Sequence, residues 1–427
     1  QALVEVGDLV AEDLSSAPDF PQDRVDYGWV IPWKMDLLRW AAERFRQRAP
    51  GERWTEFEAF CDDKAHWLDD YALFMALKGE HDGAMWNTWE LEVVQRRPDA
   101  LARARAQLAD PILFHKYVQY QFFEQWSALR RYANERGIRI IGDIPIFVAP
   151  DSADAWASPE IFYMDKAGRL TVVAGVPPDY FSPTGQRWGN PLYRWDVLAE
   201  NGYRWWIGRV KSALELVDVL RIDHFRGFQD YWEIPASEPT AVNGQWRPGP
   251  GDAFFDALKG ALGAELPIIA EDLGMITGEV RALRDRAGLP GMKVLHFAFD
   301  GDPEHEYLPH NYGPDCVVYL GTHDNDTTLG WFAGLEERER GFVLRYLGID
   351  KDADVVWALM RAAFVSVADV AVVTVQDLLR LGSEARMNTP GTSGGNWQWR
   401  CQAGGLDERL AGELASLTEI YGRATAR

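Results

Sequence analysis

The sequence predicts an α/β fold, specifically a (β/α)8 TIM barrel with inserted helical and loop subdomains, and three observations support it. From residue 137 onward, short apolar runs rich in Val and Ile alternate with longer amphipathic stretches. This alternation is typical of a parallel sheet covered by helices, either doubly wound or closed into a barrel. Acidic residues stand at the far ends of the runs, which favours the barrel. No G-x-G-x-x-G follows a run, so dinucleotide binding has no support.

Composition excludes several classes of protein. The 427 residues suit one large domain with insertions, or two domains. Because 65 acidic residues outnumber 44 basic ones, the net charge of -21 repels phosphate backbones and anionic lipids, so we expect no nucleic-acid and no membrane partner. Three widely spaced cysteines and a start without a basic stretch and apolar core indicate a cytoplasmic protein without a signal peptide.

The chain changes character near residue 137. Helical spacing of apolar residues at Leu37, Ala41 and Phe45, and again over 111–134, predicts helices in the first part. We therefore expect a mainly helical subdomain over 1–136 and a catalytic barrel over 137–427, with a lid insertion over 150–198.

Six apolar runs are predicted to be strands: 138–148, 217–225, 267–273, 292–299, 316–324 and 367–375. Five carboxylates lie at or just past the C-terminal ends of runs, where barrel enzymes place catalytic groups: Asp143, Asp223, Glu271, Asp324 and Asp377. A helix N-cap is the simpler interpretation for Asp377.

Asp223 and Glu271 end consecutive runs. Inward side chains at one level of adjacent strands should stand about 5 to 5.5 Å apart, the spacing of a retaining glycosidase. Arg221 points to the same face as Asp223 and should keep it ionised as the nucleophile. Glu271 follows the apolar PIIA without a basic neighbour nearby in sequence, so a raised pKa and the acid/base role are expected for it.

The segment 175–195 combines Gly, Pro and aromatic residues, and we expect neither a long helix nor a long strand there. It is interpreted as a lid that presents Tyr180, Phe181 and Trp188 to sugar rings, while Gln186 and Asn190 bond hydroxyls. A surface loop packed on its own aromatic side chains is the alternative.

His323 and Asp324 open T-H-D-N-D at the end of a later run. They are candidates for gripping two sugar hydroxyls, with a turn or a metal site as alternatives. The metal site is disfavoured because the calcium-loop pattern D-x-D-x-D-G is absent and no second His is near. Asn388, a candidate substrate-binding residue, belongs to a Gly-rich loop that either closes the far rim of the site or forms a plain turn.

Together the motifs resemble those of the bacterial amylomaltases, the 4-α-glucanotransferases related to α-amylase. The matching segments are GDIPIFVA, VVAGVPPDYFSPTGQRWGNPLY, LRIDHFRGF, YWEIPAS, IIAEDLG, GLPGMKVL, GTHDNDTTLGW and SEARMN. The similarity extends from about residue 20 to the C-terminus.

The resemblance implies a (β/α)8 barrel and a role for each matched residue. Asp223 would be the nucleophile, Glu271 the acid/base and Asp324 the transition-state stabiliser. Asp143, Arg221 and His323 would contact the reacting sugar, and the covering loop would contribute Tyr180, Phe181, Gln186 and Trp188. Family members also begin with two more barrel strands and an S-P-Y-Q-like segment, which do not precede QALVEVGD here. We therefore expect that the N-terminal strands are missing from this sequence.

These features predict a retaining transglycosylase that needs no cofactor and no metal. It would move segments of α-1,4-glucans and maltooligosaccharides to the 4-hydroxyl of an acceptor glucose or glucan. One alternative is an α-glucan hydrolase that passes the same intermediate to water. Another is a non-catalytic glucan-binding protein. The presence of all three carboxylates, Asp223, Glu271 and Asp324, argues against it.

Overall fold

The computed structural model describes residues 1–179, 182–350 and 354–424. The chain divides into two compact units, a first made of Gln1–Ser16 with Met35–Leu289 and a second made of Ala17–Lys34 with Pro290–Arg427. The expected division into a mainly helical subdomain over 1–136 and a catalytic barrel over 137–427 stays a prediction.

Helices occupy most of the first part of the chain and alternate with strands in the rest. The α-helices are α1 (Ala2–Glu5), α2 (Tyr27–Gln47), α3 (Glu52–Glu80), α4 (Leu91–Val94), α5 (Pro98–Gln107), α6 (Ala109–Asn134), α7 (Ala153–Ala157), α8 (Trp195–Glu200), α9 (Arg204–Leu216), α10 (Asp252–Leu262), α11 (Gly278–Ala287), α12 (Thr328–Gly334), α13 (Glu337–Leu347), α14 (Val355–Val365), α15 (Val375–Leu378) and α16 (Glu408–Ile420). Short 3-10 helices lie at Ala11–Ser16, Trp86–Thr88, Pro159–Ile161, Phe225–Phe228, Leu295–Phe297, Pro309–Asn311 and Ser383–Ala385.

The strands are β1 (Ile141–Pro145), β2 (Val172–Val176), β3 (Gln186–Pro191), β4 (Val219–Asp223), β5 (Asp230–Pro235), β6 (Gln245–Pro248), β7 (Ile268–Ala270), β8 (Gly291–Val294), β9 (Cys316–Tyr319) and β10 (Val370–Val372). Five of the six predicted runs contain one of these strands, and the run 292–299 overlaps β8. These six strands form two parallel sheets, β1-β4-β7 in the first unit and β10-β9-β8 in the second. The parallel α/β prediction is thus confirmed.

The predicted helices are present, although one buries a different face than its apolar residues suggest. In α2, Leu37, Ala41 and Phe45 are buried, as their spacing predicts. In α6 the buried residues are Tyr117, Tyr120 and Gln121, and the apolar Phe122 and Leu129 of the predicted stripe are 43% and 53% exposed. Gly137, with φ +72°, follows α6 in the left-handed conformation that ends helices.

The described part of the segment 175–195 contributes only short stretches to a four-stranded antiparallel sheet of order β3-β2-β5-β6, in agreement with the expectation of no long helix or strand. Part of that segment lies in β2 and β3, because β5 supplies β2 with a second partner strand that local sequence does not reveal. Gly175 makes the pairing possible, since a Cβ there would lie 2.2 Å from the carbonyl oxygen of Gln186.

The core of the first unit contains an unusual number of large aromatic side chains. Trp206, Tyr193, Phe228 and Phe254 are buried together, and the Phe228 and Phe254 rings stack with centroids 4.6 Å apart. Packing of this kind fixes the helices that flank β1 and β4. Within the described ranges, no helix is both long enough and apolar enough to cross a membrane.

Candidate active site

Three neighbouring strands of the first unit bring the candidate catalytic residues together. The parallel register pairs Asp143 of β1 with Arg221 of β4, and Pro145 with Asp223. On the other side of β4, the Glu271 amide donates to the Ile222 carbonyl at 3.1 Å, so Glu271 continues the ladder directly after β7. Asp143, Asp223 and Glu271 therefore lie at or near the carboxyl ends of adjacent strands.

Arg221 bridges two of these carboxylates. Its guanidinium donates to Asp143 Oδ2 at 2.6 Å and to Asp223 Oδ1 at 2.9 Å, and its side chain is only 10% exposed. The contact with Asp223 is the one predicted from the two-residue spacing. Because charge-assisted bonds of this kind are short and directional, they restrict the orientation of both carboxylates.

Two backbone amides hold Glu271. The His224 N–H donates to Oε2 at 2.7 Å, and the Leu273 N–H donates to Oε1 at 2.9 Å. Burial, together with the negative charge of Asp223, raises the pKa of Glu271 to about 7, although Arg221 and the two amides oppose the rise. A carboxyl group with this pKa can both give and take a proton near neutral pH.

His224 follows the candidate nucleophile in a left-handed conformation, with φ 57° and ψ 51°. Non-glycine residues seldom adopt this conformation, and here it turns the amide of His224 toward Glu271. The ring lies edge-on to Trp188, with centroids 4.8 Å apart. Burial and the nearby Arg226 lower the pKa of His224 to about 4, so the ring is neutral at pH 7. His224 could not be identified from its residue type, because its contribution is a backbone group.

Of the predicted lid residues, Trp188 and Gln186 lie on β3. Trp188 is 39% exposed, and its indole N–H donates to Gln186 Oε1 at 3.2 Å. The Asn190 amide, expected to bond sugar hydroxyls, donates instead to the Val148 carbonyl at 2.8 Å. Tyr180 and Phe181 lie outside the described residues.

In the second unit, His323, Asp324 and Asn388 are grouped as the sequence suggested. The side-chain NH2 of Asn388 donates to Asp324 Oδ1 at 2.5 Å, and the backbone N–H of Asn388 donates to the His323 carbonyl at 3.1 Å. His323 Nε2 lies 3.5 Å from Asp324 Oδ2. Asn388 thus orients the Asp324 carboxylate, a role more specific than that of a turn residue.

Two further residues beside Asp324 were not predicted from the sequence. Arg386 donates to the Asp324 carbonyl at 2.7 Å and to the Asn388 carbonyl at 2.9 Å, which ties the two segments together. Trp397 is 47% exposed, and its ring lies 5.1 Å from that of His323. A Trp in a Gly-rich segment is the same sequence pattern that predicted a sugar-binding role for 175–195, so Trp397 could have been predicted from it.

Asp377 has a structural role. It is buried, and its Oδ1 accepts the N–H of Thr328 at the start of α12 at 2.8 Å. The N-cap interpretation is wrong, because Thr374 is the N-cap of α15, in which Asp377 lies, and Thr327 is the N-cap of α12. Among the described residues, no group of three or more His, Cys, Asp or Glu side chains is arranged to hold a metal ion.

An ion-paired carboxylate beside a protonatable one, at the ends of adjacent parallel strands, is the arrangement of a glycoside-processing enzyme. Comparison with known proteins agrees. The family model described as 4-alpha-glucanotransferase matches residues 1–406. The chain belongs to this enzyme family.

Individual relatives cover nearly the whole chain. A 4-alpha-glucanotransferase of Thermus thermophilus is 54% identical over 99% of this chain and 85% of its own length. One of Synechocystis sp. is 50% identical, with 99% and 84% covered. The solved amylomaltase from Streptococcus agalactiae, in complex with acarbose, superposes with a TM-score of 0.95 at 38% identity, covering 99% of this chain and 86% of that one.

Proposed function

We propose that this enzyme transfers segments of α-1,4-glucan to the 4-hydroxyl of an acceptor glucose or glucan by a retaining double displacement. The observation that carries the mechanism is the pair of unlike carboxyl groups on adjacent strands. Asp223 is paired with Arg221, and the pKa of Glu271 is raised to about 7. Because the environments of the two carboxyl groups differ, we assign them different roles: Asp223 is the nucleophile and Glu271 is the acid/base.

In the first step, an oxygen of Asp223 attacks the anomeric carbon of the glucan. The bond from that carbon to the glycosidic oxygen breaks, and Glu271 gives its proton to the departing oxygen. The products are a glycosyl ester on Asp223, ionised Glu271 and a released chain with a free 4-hydroxyl.

In the second step, Glu271 takes the proton of the acceptor 4-hydroxyl while the acceptor oxygen attacks the same anomeric carbon. The ester bond to Asp223 breaks and both residues return to their starting states. Two inversions at one carbon retain its configuration. With water as acceptor the same steps give hydrolysis, the alternative reaction.

The remaining site residues are proposed to bind and stabilise the sugar. Asp324 stabilises the charged transition state, with its carboxylate oriented by Asn388. The other assigned sugar contacts are Asp143, Arg221, His323, Gln186, Trp188, Tyr180 and Phe181. The bonds of Arg221 to two carboxylates support an additional positioning role for it.

We also propose a barrel architecture, a set of donor and acceptor substrates and a cytoplasmic location. The parallel strands are assigned to a (β/α)8 barrel with a lid insertion over 150–198, supported by the superposition on an amylomaltase. Donors are maltooligosaccharides and α-1,4-glucans, and glucose is an acceptor. The acarbose bound to the Streptococcus agalactiae relative supports a saccharide ligand. A cytoplasmic location is consistent with three free cysteines.

Incubation with maltotriose tests the reaction. We expect a ladder of longer maltooligosaccharides together with glucose. Glucose and maltose alone would contradict transfer and indicate hydrolysis. Asp223→Asn is the matched control, because the amide keeps the shape of the carboxylate and loses the attacking charge.

A further inference from the structure

We propose that a cavity in the first unit, formed by α3, α7 and α9, is a second saccharide site that holds part of a long α-1,4-glucan chain. Its volume is about 470 Å³, within the range of small-molecule sites. It is lined by none of the residues to which the proposed function assigns a role. The inference rests on that function, because the ligand class is taken from it.

The aromatic residues of the cavity suit sugar rings. Trp67 and Tyr71 of α3 and Trp205 of α9 line it, and all three are half-buried. The apolar C–H face of a glucose ring packs well on such flat side chains.

The polar groups of the cavity fall into two sets. Asp70 and Arg209 are held in place, Asp70 by Arg96 at 2.8 Å and Arg209 by two backbone carbonyls at the end of β1. Asp154 and Arg204 make no side-chain hydrogen bond with another residue of the described ranges. Asp154 nevertheless lies near the charge of Arg209. The two acids and two arginines of the lining balance in charge, so the set suits a neutral polyhydroxyl ligand better than an ion.

Gly208, in the wall beside Trp205, supports the view that this space is kept open. It lies inside α9, where glycine destabilises a helix by about 0.5–1 kcal/mol relative to alanine. Its φ is not positive, and a Cβ added there would meet nothing within 4 Å. Neither backbone conformation nor close packing requires glycine, and a larger side chain would narrow the cavity beside Trp205.

The cavity shares its support with the candidate nucleophile. Arg209 donates to the carbonyl oxygens of Pro145 at 2.6 Å and Ile146 at 3.0 Å, and Pro145 is the register partner of Asp223. The cavity and β4 therefore belong to one framework within the first unit. A glucan long enough to occupy both sites gains affinity from the second contact, whereas a short one does not. The effect of the cavity should thus depend on chain length.

The experiment compares Gly208→Leu, which narrows the cavity beside Trp205, with Gly208→Ala, which hardly changes it. Steady-state kinetics are measured with amylose and with maltotriose, and thermal unfolding checks that each variant is folded. For Gly208→Leu we expect the half-saturating amylose concentration to rise about five- to tenfold, as loss of one aromatic contact predicts. Maltotriose kinetics should be unchanged, and Gly208→Ala should match the parent on both substrates.

Unchanged amylose kinetics in folded Gly208→Leu would overturn the inference, and so would equal weakening on both substrates. Asp154→Ala opens the cavity instead of narrowing it and must give the same length-dependent loss. Affinity electrophoresis in amylose gels separates this inference from the proposed function. If the parent failed to disproportionate maltotriose, the proposed function would fail, yet reduced retention of Gly208→Leu relative to Gly208→Ala would still support the cavity.

Discussion

Replacing Glu271 with Gln should change how the stability of the protein depends on pH. Glu271 has its pKa raised from 4.5 to about 7, which corresponds to about 3 kcal/mol of preference for the protonated form in the folded state. The stability that protonated Glu271 contributes is complete below the unfolded pKa of 4.5. It is lost as the pH rises through about 7, because the folded protein must then hold a buried charge beside Asp223.

Gln cannot ionise, so Glu271→Gln removes this loss. Relative to the parent, the variant should gain up to about 3 kcal/mol of unfolding free energy between pH 5 and pH 8. The absolute difference at pH 5 also contains a cost, since the Gln NH2 group must face one of two backbone donors. That cost is independent of pH, so only the change between the two pH values tests the argument.

Urea unfolding of parent and variant at pH 5, 6, 7 and 8 measures this change. The transfer rate of the parent on maltotriose should fall on the alkaline side with a midpoint near 7, and the rate of Glu271→Gln should be lower by about 10²- to 10⁴-fold. Parallel stability profiles for the two proteins would refute the reasoning. A variant with parent-like rates would place the acid/base elsewhere.

Three further predictions concern the same site. Asp223→Asn should abolish turnover of maltotriose while glucan binding measured by calorimetry persists, and activity within tenfold of the parent would contradict its role. Arg221→Lys should lower kcat by about tenfold or more, because one ammonium cannot bridge Asp143 and Asp223 as the guanidinium does; an unchanged kcat would show that the bridge is dispensable. Trp188→Ala should raise the ratio of free glucose to transferred chain, since water then reaches the ester more easily; a proportional fall in both products would make Trp188 a binding residue only.

The parallel part of the fold was predictable because each strand carries its signal locally. Buried parallel strands are continuous apolar runs, and all six runs overlap a strand. The antiparallel sheet was not predictable in this way. Strand β3 has the sequence QRWGNP, whose polar residues and Gly do not form the apolar pattern of a strand. Its pairing with β2 also depends on the close approach of the two backbones at Gly175.

The candidate site was predictable where side chains carry the chemistry. Asp223, Arg221 and Glu271 follow from strand ends and two-residue periodicity, and the structure gives the contact between Arg221 and Asp223 and the raised pKa of Glu271. Backbone contributions leave no trace in residue type. The amides of His224 and Leu273 hold Glu271, and no pattern of letters distinguishes them from other amides.

Because backbone amides hold Glu271, the side chains at the two positions that supply them can be substituted. The acid/base is positioned by main-chain N–H groups, which every amino acid except proline supplies. Position 273 should therefore accept diverse side chains without displacing Glu271. Position 224 should favour Asn and Gly, which accommodate its left-handed backbone at low cost. Directed evolution of the neighbouring surface can therefore vary these two side chains for new acceptors while the proton-transfer group stays where it is.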